Sequence, residues 1–288
     1  MPELPEVETI ARTLRPELVG RKIVSARLLW AQTLATPSPA EFEERIVGQA
    51  IVDVGRRAKY LNFQLTAFNL LVHLRMSGDL YTKDGADPYP AGTMSTGSHR
   101  PDVPSGGQAL PDKHDRLRLG LSDGRLLVFN DTRKFGRIWL VADADEVTGG
   151  LGPEPFDPSF TAQLLYDNLH RRRRQVKPLL LDQRFLAGLG NIYTDEVLHL
   201  SGVHPLRLSD TISAPEAEKL FHAIRTVLQS GIDHNGASFD WVYRGGSFQN
   251  YFRVYNRTGQ PCPVCGTLVR RMVVGPRGTH FCPTCQVI

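Results

Sequence analysis

The residues of this chain best suited to chemistry by type and spacing lie at its two ends. Near the C-terminus, Cys262-Pro263-Val264-Cys265 and Cys282-Pro283-Thr284-Cys285 form two CxxC pairs separated by 16 residues. Each pair can sit on a tight turn and offer two thiolates along one edge of a tetrahedron, and the intervening stretch suits a β-hairpin. With cysteine at all four positions no coordination site is left for water, so the spacing predicts one structural Zn2+ ion. Two redox CxxC motifs are the alternative, disfavoured because no βαβ pattern surrounds them. All four cysteines fall in the last 27 residues, a clustering that argues against a disulfide framework and for a reducing compartment. At the other end stands Met1-Pro2-Glu3-Leu4-Pro5-Glu6-Val7-Glu8. A helix start with a proline near its first position and acids in its first turn explains Pro5 and Glu8. It does not explain a second proline at position 2.

The elements that must position these residues follow from hydrophobic periodicity. Val7, Ile10, Ala11, Leu14 and Leu18 recur at helical spacing, predicting a helix over residues 3–19 with Gly20 as its stop. From residue 22 to about 141 the pattern shifts to short β-like runs at 23–29, 50–54, 60–65, 70–74, 117–121, 126–129 and 138–141, separated by turns such as Ser122-Asp123-Gly124. No helices alternate with these runs, which predicts an antiparallel sandwich or barrel. Residues 83–112 are rich in Gly, Pro and Ser and read as a long loop. Leu151-Gly152-Pro153-Glu154-Pro155 opens a linker, after which helices are expected at 160–169, 175–180, 191–200 and 214–234. The reading is α+β and multidomain: residues 1–150 an N-terminal helix with a β-sandwich, 151–240 a helical domain, and 241–288 a loop followed by the four-cysteine ribbon.

The chain carries 34 basic and 30 acidic residues, and the excess is local. Residues 151–288 hold 15 basic and 11 acidic residues, while residues 1–150 hold 19 of each. After Asp240 come Arg244, Arg253, Arg257, Arg270, Arg271 and Arg277 with no carboxylate, and Arg171 to Arg174 form a further run. A single run of arginines is ordinarily a solvated face. An acid-free tail is what a phosphate backbone attracts. No apolar run is long enough to span a bilayer and no signal sequence opens the chain, so a soluble intracellular protein is expected.

Taken with the cysteine pairs, the opening Pro2-Glu3-Leu4-Pro5-Glu6-Val7-Glu8 resembles that of the formamidopyrimidine-DNA glycosylases, bacterial enzymes that remove 8-oxoguanine. The resemblance runs over nearly the whole chain, through Arg57-Ala58-Lys59-Tyr60-Leu61, His73-Leu74-Arg75-Met76-Ser77-Gly78, Asp131-Thr132-Arg133-Lys134-Phe135-Gly136, Leu151-Gly152-Pro153-Glu154-Pro155 and Gly188-Leu189-Gly190-Asn191-Ile192-Tyr193. It implies a bifunctional glycosylase and AP lyase acting on double-stranded damaged DNA. In similar enzymes the initiator Met is removed and Pro2 becomes the nucleophile. An α-amine titrates near pH 8, about 2 units below lysine, so a useful fraction is neutral. The resemblance assigns Glu3 as general acid/base, Glu6 as a supporting carboxylate, and Lys59, in a strand, as holding the damaged nucleotide. It assigns Met76, Arg133 and Phe135 to filling the gap left by a flipped base. His73, Lys177, Asn191 and Arg277 become DNA contacts, with Gly188 and Gly190 in the turn of a helix–two-turn–helix.

Two regions depart from the family pattern: the loop at 83–112 is long, and residues 236–252 carry the bulky Trp241 and Tyr243. An endonuclease VIII-like enzyme acting on oxidised pyrimidines shares the Pro2–Glu3 opening, but Leu4 with Val7-Glu8 and the Met76, Arg133, Phe135 set favour the purine branch. A protein that binds damaged DNA without catalysis would need no free Pro2. The expected protein is a monomer, cytoplasmic and associated with the nucleoid through DNA, with no membrane partner.

Overall fold

The computed structural model describes residues 1–85, 112–238 and 245–288. Most of the 83–112 loop, together with Trp241 and Tyr243, lies outside the described residues. The chain divides into two compact units, Met1–Pro2 with Val7–Gly149, and Glu3–Glu6 with Gly150–Ile288.

Helix α1 (Leu4–Leu18) starts in the second unit and from Val7 onward belongs to the first; its Val7, Ile10, Ala11, Leu14 and Leu18 are all buried, as their spacing predicts. Strands β1 (Ile23–Leu28) and β2 (Leu34–Thr36) follow, and then helix α2 (Pro39–Ile46). Next come β3 (Ile51–Arg57), β4 (Tyr60–Leu65), β5 (Asn69–His73), β6 (Gly78–Asp84), β7 (Asp115–Leu121), β8 (Arg125–Asp131) and β9 (Arg137–Val141), then a single helical turn, α3 (Asp145–Thr148). One sheet has the order β1-β7-β8-β6 and the other β2-β9-β5-β4-β3. All pairings are antiparallel except β2 with β9. The expected sandwich is thus realised, with one correction, because a helix does interrupt the strands. Ser38 accepts a hydrogen bond from the Glu41 N–H at 3.5 Å while its own N–H donates to Glu41 Oε2 at 3.2 Å, a capping box that starts α2. Phe42 and Ile46, one turn apart, bury its inner face.

The second unit holds α4 (Ala162–His170), α5 (Val176–Leu180), α6 (Asn191–Ser201) and α7 (Ala214–Asp233), followed by the hairpin of β10 (Arg270–Val274) and β11 (Arg277–Phe281). Its core gathers Leu165, Leu180, Tyr193, Leu198, Leu220, Leu228 and their neighbours, and Leu4 joins it from the start of the chain. Helix α6 is buried continuously from Ile192 to His199, although Thr194, Asp195, Glu196 and His199 are polar. Buried polar groups are as a rule hydrogen-bonded, so the partners of Asp195, Glu196 and His199 fix what packs on α6. The ribbon has only a small core of its own, Val254, Cys262, Val269 and Cys282. Among the described residues no helix is long and apolar enough to cross a membrane.

Candidate functional site

In the second unit, helix α6 begins at Gly190, which has no side chain with which to cap it. Its leading N–H groups are satisfied from the far end of the sequence. The Glu3 carboxylate accepts from Gly190 N–H at 2.6 Å and from Ile192 N–H at 2.9 Å. A helix N-terminus favours an anion there. A Cβ on Gly190 would lie 2.3 Å from the Glu3 carboxyl carbon, so only glycine fits. Gly188 takes φ +98°, its carbonyl accepts from Leu4 N–H at 3.1 Å, and a Cβ there would strike Leu4. The intervening turn is tied by Gln183, which accepts from Gly188 N–H at 3.0 Å and donates to the Leu189 carbonyl at 2.8 Å.

Glu6 is buried beside Glu3 and accepts three hydrogen bonds of 2.7 Å each, from Glu3 N–H, Tyr193 Oη and Ala237 N–H. The first turn of α1, helix α6 and the residues just after α7 therefore meet at one carboxylate. Its partner Tyr193 stacks on Phe248, with ring centroids 5.1 Å apart and planes within 6°. Pro2, next to Glu3 in sequence, is buried in the first unit, with Met1 41% exposed ahead of it.

Further along α6 the polar residues reach the hairpin. Lys177 has a fully buried side chain, and its Nζ donates to Asp195 Oδ1 at 2.6 Å, Thr279 Oγ1 at 2.8 Å and the Gly278 carbonyl at 3.2 Å. Burial pulls its pKa down and Asp195 holds it up. Asn191 Nδ2 donates to the same Gly278 carbonyl at 3.1 Å. Both residues, expected as DNA contacts, thus fix the peptide that follows Arg277, which is itself exposed. The ammonium is enclosed by these three partners and braces strand β11 from within. Glu196 accepts from the N–H groups of Arg253, Val254 and Tyr255 at 2.7–3.0 Å. Burial raises its pKa against the pull of those three amides. Asp195 also accepts from His280 N–H at 2.8 Å.

The four cysteine sulfurs lie within 4.8 Å of one another, with Cys262 to Cys285 at 3.9 Å and Cys265 to Cys282 at 3.4 Å. Sulfurs about 2.3 Å from a central ion at tetrahedral angles stand about 3.8 Å apart, so the cluster fits one four-coordinate metal.

In the first unit, Lys59 is buried in the tight turn joining β3 to β4, next to Ala58 at φ 53°, and not in a strand as expected. His73, at the end of β5, is buried and accepts from Arg75 N–H at 3.0 Å. Burial, with Arg75 and Lys59 nearby, pulls its pKa down to about 3, so it is neutral. Met76 and Phe135 are exposed at 40% and 48%, Met76 between β5 and β6, Phe135 between β8 and β9. The Arg133 guanidinium lies 5.0 Å from the centre of the Phe135 ring. Sequence reasoning quoted Asp131 and Ser77 without giving them a role, yet they join these two loops. The fully buried Asp131 accepts from Arg133 N–H at 3.1 Å, from Gly136 N–H at 2.7 Å and from the Ser77 hydroxyl. Ser77 Oγ also accepts from Arg133 N–H at 3.1 Å.

Comparison with known proteins agrees with this geometry. A family model described as the formamidopyrimidine-DNA glycosylase N-terminal domain matches residues 1–138, one for the formamidopyrimidine-DNA glycosylase H2TH domain matches 151–241, and one for a zinc finger found in FPG and IleRS matches 259–287. The formamidopyrimidine-DNA glycosylase of Chloroflexus aggregans is 44% identical over 296 residues, covering 100% of this chain and 99% of that protein. That of Pelotomaculum thermopropionicum is 42% identical over 297 residues, with both chains fully covered. Among solved structures, MutM in complex with carbocyclic 8-oxo-G containing DNA matches with a TM-score of 0.86 at 35% identity, covering both chains completely. The Lactococcus lactis enzyme bound non-covalently to an AP site containing DNA matches at 0.86 and 33%, again over both chains. The chain belongs to the formamidopyrimidine-DNA glycosylase family.

Proposed function

We propose that this chain is a bifunctional DNA glycosylase of base excision repair, which releases oxidised purines from duplex DNA and then cuts the strand through an imine formed on Pro2. The observation that carries the reading is the Glu3 carboxylate seated on the Gly190 and Ile192 amides. It holds a buried acid, the residue that follows Pro2 in the chain, on the first amides of α6.

The chemistry runs from these residues. With Met1 removed, Pro2 presents a secondary amine, which in its neutral form attacks the sugar C1′. The bond from C1′ to the base breaks and the base leaves with a proton. Glu3 protonates the sugar ring oxygen, the ring opens, and the Pro2 nitrogen, having lost its proton, becomes an iminium at C1′. The iminium draws electrons from C2′. Loss of a C2′ proton expels the 3′-phosphate, and a further elimination expels the 5′-phosphate. Water then hydrolyses the remaining iminium and frees Pro2. Glu6, through its bonds to Glu3 N–H and Tyr193, keeps this segment in place. Lys59 holds the damaged nucleotide.

A stacked base must leave the duplex first, at a cost of a few kcal/mol. Exposed Phe135 and Met76 suit the wedge and the filler, and Arg133 the orphaned partner base. Exposed Arg277 suits phosphate. The partner is damaged double-stranded DNA, met by a monomer in the cytoplasm. The metal is Zn2+, which holds the ribbon folded and takes no part in the chemistry.

Borohydride trapping on a duplex with one 8-oxoguanine opposite cytosine tests the proposal. A covalent protein–DNA band with strand cleavage is expected, lost when Pro2 is replaced by Gly or when Met1 is retained. A band only with an oxidised pyrimidine would transfer the chain to the endonuclease VIII-like reading. Binding without a band on either duplex would leave a damage-binding protein.

A further inference from the structure

We propose that His199 is a positioning residue for the metal site, donating a hydrogen bond from its Nε2 to the Cys262 thiolate and tying the metal to helix α6. His199 is 4% exposed, and its Nε2 lies 3.3 Å from Cys262 Sγ. The inference rests on the reading of the four cysteines as a zinc site.

The tautomer follows from what surrounds the ring. Nδ1 is buried and has no hydrogen-bond partner among the described residues. A proton on Nδ1 would be an unpaired buried donor, which is unfavourable. A proton on Nε2 points at sulfur and leaves only a lone pair unmatched. Four thiolates around one divalent ion leave a net charge of about −2 in a small core, and N–H donors are what disperse it. The cysteine turns supply some themselves, Val264 N–H to Cys262 Sγ and Cys285 N–H to Cys282 Sγ, each at 3.5 Å. His199 is different in origin, because it reaches in from α6. The helix that opens at Asn191, against the Gly278 carbonyl, thus also carries a donor to a metal ligand. Metal occupancy and the placement of α6 against the ribbon are coupled through this side chain.

The test uses the full chain loaded with Zn2+ or with Co2+. His199→Phe keeps the ring and removes the N–H, His199→Gln restores a donor of similar reach, and His199→Asn carries a donor too short to arrive. Zinc transfer to excess chelator is expected to be about tenfold faster in His199→Phe and His199→Asn, with His199→Gln near wild type. In the Co2+ forms the thiolate-to-metal charge-transfer band is expected to move to lower energy in His199→Phe and to return in His199→Gln. Release at the wild-type rate with an unmoved band in a folded His199→Phe protein would overturn the proposal. If circular dichroism shows that His199→Phe does not fold, the other two variants decide: slow release in Gln and fast in Asn supports it, and equal release overturns it. A wild-type chain that binds neither Zn2+ nor Co2+ would instead overturn the zinc reading.

Discussion

Glu3 and Phe135 are held by opposite means. Just ahead of α1 the side chain itself is enclosed, with Glu3 2% exposed and its carboxylate committed to two amides. In the loop after β8 the functional side chain is left outside, Phe135 at 48% exposure, and the backbone beneath it is clamped by Asp131 and Ser77. A group that moves protons must meet one atom at a fixed distance, so its own rotamer has to be fixed. A wedge must be free to enter a base stack, so only its platform is made rigid. Buried carboxylates serve both regions, Glu3 as the proposed reacting group and Asp131 as the pin under the loop that exposes Phe135.

The largest effect expected from breaking this contrast is at Glu3. Glu3→Gln keeps the size and an acceptor oxygen but cannot deliver a proton as an acid. Base release should fall by about 10²–10⁴-fold while DNA affinity changes little, measured by single-turnover kinetics and by titration with a lesion duplex. Equal rates for variant and wild type would remove the distinction between the two regions.

Asp131→Ala should cost stability without touching DNA directly. It strips the acceptor from the Gly136 and Arg133 N–H groups and from Ser77, a loss of about 3 kcal/mol in denaturant unfolding. A loss below about 1 kcal/mol would mean that the loops do not depend on the clamp.

His73 supplies a pH test of the same unit. Its pKa is lowered from 6.5 to about 3, first by burial and then by Arg75 and Lys59. The unfolded chain therefore takes up a proton that the folded chain refuses, and stability present above about pH 6.5 is lost as pH falls toward 3. Between pH 7 and 5 the wild type should lose about 2 kcal/mol more than His73→Gln in chemical denaturation. Parallel losses would show that the imidazole is protonated in the fold. The smallest effect is at the exposed Arg277, where Arg277→Ala should weaken binding to all sequences alike and reduce the slope of log affinity against log salt by about 1. An unchanged slope would take Arg277 out of the phosphate contacts.

Sequence reading and structure part company where burial is decided by distant residues. The helix α6 is found where periodicity places it, and β4 spans the predicted 60–65. The eight-residue α2 is missed by hydrophobic period, since too few turns exist to establish one, although its Ser38 and Glu41 carry a capping signature in plain view. The family resemblance makes Lys177 a DNA contact. The side chain is enclosed because Asp195, Thr279 and Gly278 converge on it from later parts of the chain.

What the sequence by itself determined is whatever depends on short spacing: four thiols two by two on tight turns, the buried stripe of α1, and the proline and acids at the N-terminus. Those relations are fixed by covalent geometry over a few residues and survive without knowledge of the fold. What only the tertiary structure decided are the partners of buried polar groups: Glu3 with Gly190, Glu6 with Tyr193 and Ala237, Asp131 with Ser77, and His199 with Cys262. A buried donor or acceptor must be matched, yet its match is chosen by which segments pack together, and that choice is a property of the folded chain as a whole.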